Sequence, residues 1–373
     1  MNKKKLYFVT NFTVKNPYDK VSEQVELFRE KGFKVKYIDT TENVSALKKI
    51  LGRLPFINSN VNLNDLKKIE DNSCIYIRYF QSNHKLISCL KRLRQDRHNL
   101  KIAIEIPTYP YDDEFKKSSI LNRIKSYPIF LKDKVTRKEL YKYVDRIITF
   151  SDDKVIWKIP TINISNGVNL DRIPIRNIEN HTNVINMIAV AKFGFWHGYD
   201  RLIKGLGQYY QTNKKHRNVK LYLVGSGDKK VEKEYKRLIT KYNLNEKVIM
   251  TGKKIGPDLD NLYNRCDLGI DSMGRYRSGV TYNSTLKGKE YLAKGLPIVS
   301  GVKTELDTMP DFKYYYRVPA DDSPVDVEKI VDFYDGIYRN KDKQNIANQI
   351  RKFCQKNFTF EKCYKEIIDW YQS

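Results

Sequence analysis

Apolar positions along the chain follow two rhythms. Short runs rich in Val, Ile, Tyr and Phe have the length and composition of strands: KLYFVT (5–10), FKVKYID (33–39), CIYIRYF (74–80), KIAIEI (101–106) and RIITF (146–150). Between them, near 19–31, 43–51, 83–95 and 116–144, apolar residues return every three or four positions, as on one face of a helix. Strict alternation of strand and helix predicts parallel pairing, because each crossover helix returns the chain to the same edge of the sheet. The first half therefore reads as a doubly wound α/β domain, in which ligands bind beyond the carboxyl ends of the strands.

The alternation stops around Ile173 to Thr182, where Pro174, Asn177 and Asn180 break the periodicity, and this stretch reads as a linker. It resumes with strands at 185–191, 219–225, 247–250, 267–271 and 297–300, interleaved with helices near 199–212, 229–241, 257–265 and 285–294. A further strand at 314–318, a helix near 324–339 and a helical tail ending EKCYKEIIDWYQS complete the chain. The expected fold class is α/β: two doubly wound, Rossmann-like domains facing across a cleft, the first spanning 1–178 and the second 183–352.

Composition narrows the class. With 40% hydrophobic and 30% charged residues in 373, the chain has core enough for two domains and no apolar run approaching the roughly 18 residues that span a bilayer. The start, MNKKKLYFVTNF, reads as a buried strand and not as a signal peptide. Five scattered cysteines without metal-ligand spacing point to a reducing cytoplasm, with no disulfide framework and no metal site. The net charge of +25 points to an acidic partner, although Lys, Tyr, Asn and Ile are abundant together, as biased codon usage would also produce. No nucleic-acid motif accompanies the charge, which is spread over both halves.

The most informative stretch is NSTLKGKEYLAKGLPIVSG, 283–301. Asn283, Ser284 and Thr285 are good helix caps, the helix opens at Leu286, and Gly295 suits its end. This helix begins where the preceding strand delivers the chain to the ligand edge. Its free amides, the hydroxyl pair and Lys287 make an anion site suited to a diphosphate. Glu290, three residues after Lys287, lies on the same face and offers the acceptor that ribose hydroxyls need.

This stretch resembles the donor-binding segment of retaining glycosyltransferases of family 4, which have the GT-B fold. Glu290 with Gly295 and Pro297 matches the second half of that pattern, while Tyr282 stands where the family's first glutamate, the sugar contact, is usual. The combination of Ser284, Lys287 and Glu290 is similar to a bacterial branch in which a lysine supplements diphosphate binding. AVAKFGFWHGYDRLIKGL (189–206) resembles the family's phosphate-binding elements, with Lys192 in place of the usual Arg and His197, before Gly198, in place of a Lys. The Gly-rich turn at Gly225 in LVGSGD matches in the same order, and Lys254 and Ile255 fit the loop that cradles the base through its backbone. In the first half, EIPTYPYDDE (105–114) is similar to a signature of bacterial polysaccharide-assembly transferases, which makes Glu105, Tyr109, Tyr111 and Asp112 candidates for contact with the acceptor or the reacting sugar. The resemblance further implies that the helix at 353–373 packs back towards the first domain.

The function so implied is transfer of a sugar from a nucleotide diphosphate sugar to a growing glycan or polyprenyl-linked acceptor. Retention follows only from the resemblance. Lys192, Lys287 and the helix amides would neutralise the leaving diphosphate, so no metal and no cofactor is expected. Asp258-Leu259-Asp260 fits a metal motif of another transferase fold but falls inside a helical run and reads as surface charge. Residues 115–146 carry ten Lys or Arg against three acids, interleaved with aromatics, and with Lys91, Arg92, Arg94 and Arg97 they offer a face for an anionic membrane. The expected location is cytoplasmic, at the periphery of the inner leaflet. A catalytically silent GT-B subunit that binds a glycan or a partner transferase is the alternative, motivated by Tyr282.

Overall fold

The computed structural model describes residues 3–11, 20–41, 63–79, 81–113, 120–178, 183–212 and 216–373, with only the backbone of 120–125. The predicted helix at 43–51, residues 116–119 and Glu114 lie outside the described residues. The chain divides into two compact units, Met1–Ser165 with Cys363–Ser373, and Asn166–Lys362.

The first unit is built on a seven-stranded sheet of β1 (Lys5–Thr10), β2 (Lys34–Asp39), β3 (Cys74–Arg78), β4 (Lys101–Ile106), β5 (Arg146–Thr149), β6 (Val155–Ile156) and β7 (Ile159–Asn163). Their spatial order is β2-β1-β3-β4-β5-β7-β6, and only β6 and β7 pair antiparallel. Cys74, Ile75, Tyr76 and Ile77 are all 0% exposed, the continuous burial of a strand covered on both faces. Helices Lys20–Glu30, His84–Asp96, Ile120–Thr136 and the end of Phe360–Gln372 provide the cover. Tyr364, Ile367, Ile368 and Tyr371 of the last helix are buried, and the Tyr371 hydroxyl donates to the Ile75 carbonyl at 2.8 Å.

Two features depart from the sequence expectations. The β6–β7 hairpin was not signalled, because its two-residue turn uses Trp157 and Lys158 at φ 50° and 68° where glycine or asparagine is usual. Trp157 is held there by aromatic packing, 5.6 Å from the Tyr79 ring. The expected helix over 116–144 ends as an α-helix at Thr136 and continues as a 3-10 turn, Arg137–Lys142.

The second unit carries β8 (Val184–Val190), β9 (Asn218–Val224), β10 (Val248–Gly252), β11 (Leu268–Ile270), β12 (Ile298–Ser300) and β13 (Tyr315–Arg317). The order β10-β9-β8-β11-β12-β13 is wholly parallel. Counted within the unit this is 3-2-1-4-5-6, the Rossmann arrangement, with its switch point between β8 and β11. Residues 166–178, which the sequence reading assigned to the first domain and its linker, belong here. The Asn166 amide donates to Ser284 Oγ at 2.9 Å, Val168 N to the Phe358 carbonyl at 2.9 Å, and the fully buried Arg176 guanidinium to the Tyr338 hydroxyl at 2.9 Å. The prolines and asparagines that read as a linker shape a loop pinned to this unit. Among the described residues no helix is long and apolar enough to cross a membrane.

Candidate functional site

The switch point of the second unit is assembled from the loops that follow β8, β9, β11 and β12. Phe193 N donates to the Ser226 carbonyl at 3.1 Å and Asp228 N to the Phe193 carbonyl at 2.9 Å, which joins the β8 and β9 loops. Met273 N donates to the His197 carbonyl at 2.7 Å and Gly301 N to the Ser272 carbonyl at 2.9 Å, which joins the β8, β11 and β12 loops. Glycine is required at two of the predicted positions. Gly198 has φ 64° and a Cβ there would stand 2.5 Å from Gly274 N; Gly225 has φ 131° and its Cβ would stand 1.9 Å from the Ala191 carbonyl oxygen.

On the β8 side, Lys192 is exposed at the strand end, whereas His197 is only 7% exposed. His197 Nδ1 accepts from Gly194 N at 3.0 Å, which leaves the ring proton on Nε2. Burial, reinforced by the Lys287 and Arg275 charges, pushes its pKa down to about 2. His197 is therefore a neutral Nε2 donor at pH 7 and not a cation like the Lys whose place it takes in the resemblance. Between that value and the ordinary 6.5 of an unfolded chain, only the unfolded state takes up the proton, so His197 contributes stability above pH 6.5 that is lost as the pH falls. His197→Asn, which retains an acceptor for Gly194, is expected to shallow the decline in stability between about pH 6.5 and 4 by up to ~1.4 kcal/mol per pH unit. Urea denaturation across that pH range measures it; equal slopes would contradict a buried neutral ring.

On the β11 side the structure redistributes the roles of the cap residues. Thr285 is the N-cap of helix Leu286–Lys294 and accepts from Gly288 N at 3.0 Å, while its hydroxyl donates to Asp271 Oδ2 at 2.7 Å. Ser284 is 2% exposed, accepts from Asn166 N and lies 3.5 Å from Glu305 Oε1. Both hydroxyls are thus committed inside the unit, and the hydroxyl pair expected to face a diphosphate does not. What remains at the helix start is the amides of Leu286 and Lys287, which have no acceptor within the helix, and the Lys287 ammonium. Lys287 Nζ lies 3.4 Å from Asp271 Oδ1 and 3.2 Å from Ser272 Oγ. Burial lowers its pKa and the Asp271 carboxylate opposes that shift. Asp271, 1% exposed just after β11, and Ser272 were not singled out in the sequence; the signal was their place at the end of the strand predicted over 267–271.

The remaining donor-site candidates form an open rim. Glu290 and Leu286 are exposed, and Asn283 N donates to the Lys303 carbonyl at 2.9 Å. Tyr282 bridges to Lys303 in parallel, with the Lys303 ammonium 5.8 Å from its ring centre, so this position holds a phenol beside a cation. Beyond β10, Ile255 is 69% exposed between Gly252 and Gly256, both at positive φ, and Lys254 lies 3.6 Å from Asp258. Asp258 and Asp260 lie on helix Pro257–Asn264, where Asp260 pairs with Lys294 at 2.5 Å.

In the first unit the candidates divide. Glu105 is fully buried: it accepts from Gln24 Nε2 at 2.6 Å and from the Tyr76 hydroxyl, with Arg78 at 3.6 Å and Lys20 at 3.9 Å. Burial alone would raise its pKa, but Arg78 and Lys20 hold it below the usual carboxylate range. As an inward-pointing strand residue it anchors the interior and does not reach a sugar. The Tyr111 hydroxyl is likewise committed, to buried Asp133 at 2.6 Å. Asp112 receives both Arg137 nitrogens at 2.8 Å, and Tyr109 lies half-buried, its ring 6.3 Å from Trp157. Tyr109 and Asp112 therefore keep surface at the loop after β4, while Glu105 and Tyr111 do not.

Residues 171–273, which run from the unit boundary through β11, match the family model for glycosyl transferases group 1. No curated protein matches the sequence. Among solved structures, a glycosyltransferase from Rickettsia africae superposes with a TM-score of 0.63 at 15% identity, covering 100% of this chain and 98% of that one. Sucrose-phosphate synthase from Thermosynechococcus elongatus gives 0.60 at 14%, covering 99% and 98%, and the Anabaena protein HepE in complex with UDP gives 0.60 at 13%, covering 99% of both. The two parallel-sheet Rossmann-like units have the GT-B fold, and with the match over 171–273 this supports a glycosyltransferase.

Proposed function

We propose that the protein transfers a sugar from a nucleotide diphosphate sugar, with the donor held at the β8/β11 switch point of the second unit. The observation that carries this reading is the convergence of the Leu286–Lys294 helix start, the Lys287 ammonium and the neutral His197 on loops fastened together by backbone hydrogen bonds. Lys287, Lys192 and the first-turn amides face the diphosphate, Glu290 the ribose hydroxyls, and the 252–256 loop the base. HepE, of the same fold, has been solved in complex with UDP and with UDP-glucose, which makes a uridine donor and a hexose the first choices to test.

The finer reading is a bacterial transferase of the family 4 type, acting with retention, without a metal, in the cytoplasm at the inner leaflet. Its acceptor would be a growing glycan or a polyprenyl-linked sugar, met by Tyr109 and Asp112. Hydrolysis of UDP-, GDP-, dTDP- and ADP-sugars by the purified protein tests the donor class. Glu290→Ala is expected to weaken nucleoside and nucleoside diphosphate alike by about 1.5 to 3 kcal/mol, the worth of charge-assisted hydrogen bonds. Calorimetric titration measures it, and unchanged affinity removes Glu290 from the site. Tyr282 favours the second reading, a silent subunit: nucleotide binding without turnover of any donor would select it.

A further inference from the structure

Seven large apolar side chains stand out as exposed among the described residues, and four of them fall on one short segment of the first unit: Tyr127 at 56%, Leu131 at 42%, Val135 at 60% and Tyr141 at 44%. Tyr127, Leu131 and Val135 are spaced by four on helix Ile120–Thr136, so they form a single stripe, and Tyr141 extends it on the following turn. Lys134, Lys138 and Lys142 are exposed along the same segment, Lys142 with the Glu139 carboxylate 3.4 Å away. The Lys158 ammonium lies 5.3 Å from the Tyr141 ring centre and adds a fourth cation. Several of the other basic residues that the sequence pointed to are engaged in the fold, whereas Lys91 and Arg92 are also exposed. Arg137 is clamped by Asp112 and Asp133, Lys132 is 9% exposed, Arg94 pairs with Asp145 at 2.7 Å, and Arg97 donates to the Ile69 carbonyl at 2.7 Å.

We infer that this stripe is a membrane-docking face that inserts Tyr127, Leu131 and Val135 at the headgroup boundary of an anionic bilayer while Lys134, Lys138 and Lys142 meet its phosphates. The inference gives residues to the peripheral placement proposed above and does not depend on donor chemistry. The composition of the stripe selects the occupant. Four side chains are far short of the roughly 800 Å² per partner of a stable protein interface. A second copy would bring lysine against lysine, in a chain already carrying +25. Apolar and aromatic side chains flanked by lysines are the pattern of interfacial helices, in which partition adds buried apolar area to attraction for anionic lipid.

Cosedimentation of the full chain with vesicles of phosphatidylglycerol and phosphatidylcholine in equal parts, and of phosphatidylcholine alone, tests this at low and high salt. Binding is expected on the anionic vesicles, reduced but still measurable at high salt. Each of Lys134→Gln, Lys138→Gln and Lys142→Gln should lower partition about fivefold. Leu131→Glu with Val135→Glu should abolish the salt-resistant part, while Lys229→Gln, Lys230→Gln and Lys233→Gln, on an exposed helix of the second unit, should do no more than their charge. Equal losses from both lysine sets, or unchanged binding by the Leu131 and Val135 variant, would overturn the face. So would light scattering that shows a dimer dissolved by that same variant. Nucleotide affinity of the same variants, expected unchanged, separates this outcome from failure of the transferase reading.

Discussion

Lys287→Ala is expected to lower affinity for the cognate nucleoside diphosphate by about 2 kcal/mol, roughly 30-fold, with little effect on the bare nucleoside. The ammonium is fixed over the start of helix Leu286–Lys294, held by Asp271 Oδ1 at 3.4 Å and Ser272 Oγ at 3.2 Å. Its removal has a second consequence. Asp271 is 1% exposed, and without Lys287 it keeps, among the hydrogen bonds of the described residues, that of the Thr285 hydroxyl, so the variant also loses stability, by about 3 kcal/mol if the buried charge goes uncompensated. Adding Asp271→Asn should restore the stability and not the diphosphate preference, because an amide still accepts from Thr285 and needs no counter-ion. Calorimetry with diphosphate and nucleoside, alongside thermal melts, separates the two effects. Equal losses for both ligands in the stable double variant would remove Lys287 from the phosphate site.

Asp271→Asn alone carries a pH signature. The carboxylate keeps Lys287 protonated against the cost of burial, so its neutralisation lowers the lysine pKa further. Diphosphate affinity of the variant should then fall as the pH rises, and recover as it is lowered, more than in the parent. Arg275, His197 and Glu290 surround the same group, but His197 stays neutral across that range.

Arg201→Ala is expected to cost about 3 to 5 kcal/mol of stability. The guanidinium is 0% exposed and donates to the carbonyls of Ser323 at 2.8 Å, Pro319 at 3.0 Å and Met273 at 2.5 Å, with Asp321 at 3.0 Å. Alanine leaves these carbonyls in a water-poor interior without donors. Arg201→Lys should recover little, since one ammonium cannot span acceptors arranged for a planar fork. Because Met273 lies in the loop after β11, nucleotide affinity should fall with stability even under conditions where the variant remains folded. Chemical denaturation and nucleotide titration on the same samples measure both, and a loss below 1 kcal/mol would show that water replaces the guanidinium.

The strands and helices were legible because their signals are local: a run of β-branched and aromatic residues or a three-to-four repeat, ended by a cap or a glycine. Parallel pairing followed from the alternation, whereas the order of the strands, and with it the switch point, came from the structure. The places of Lys192 at a strand end, of Lys287 and Glu290 on one helix, and of the turns at Gly198 and Gly225 were legible because a loop or helix start at a strand end is itself a local feature.

The tertiary structure alone decided which polar groups are available to a ligand. Ser284 reads as a free cap, yet its hydroxyl is taken by the amide of Asn166, 118 residues away. Glu105 reads as the first residue of a ligand loop, yet alternation along β4 turns it inward, where Gln24 and Tyr76, 81 and 29 residues away, enclose it. His197 reads as a titratable phosphate ligand, yet burial beside Lys287 and Arg275 keeps it neutral. The linker suggested by Pro174 and Asn177 proves to be a loop that Arg176 nails into the second unit. In each case the residue type sets what chemistry is possible, while desolvation and a distant partner set what remains free. Those two quantities exist only once the chain has folded.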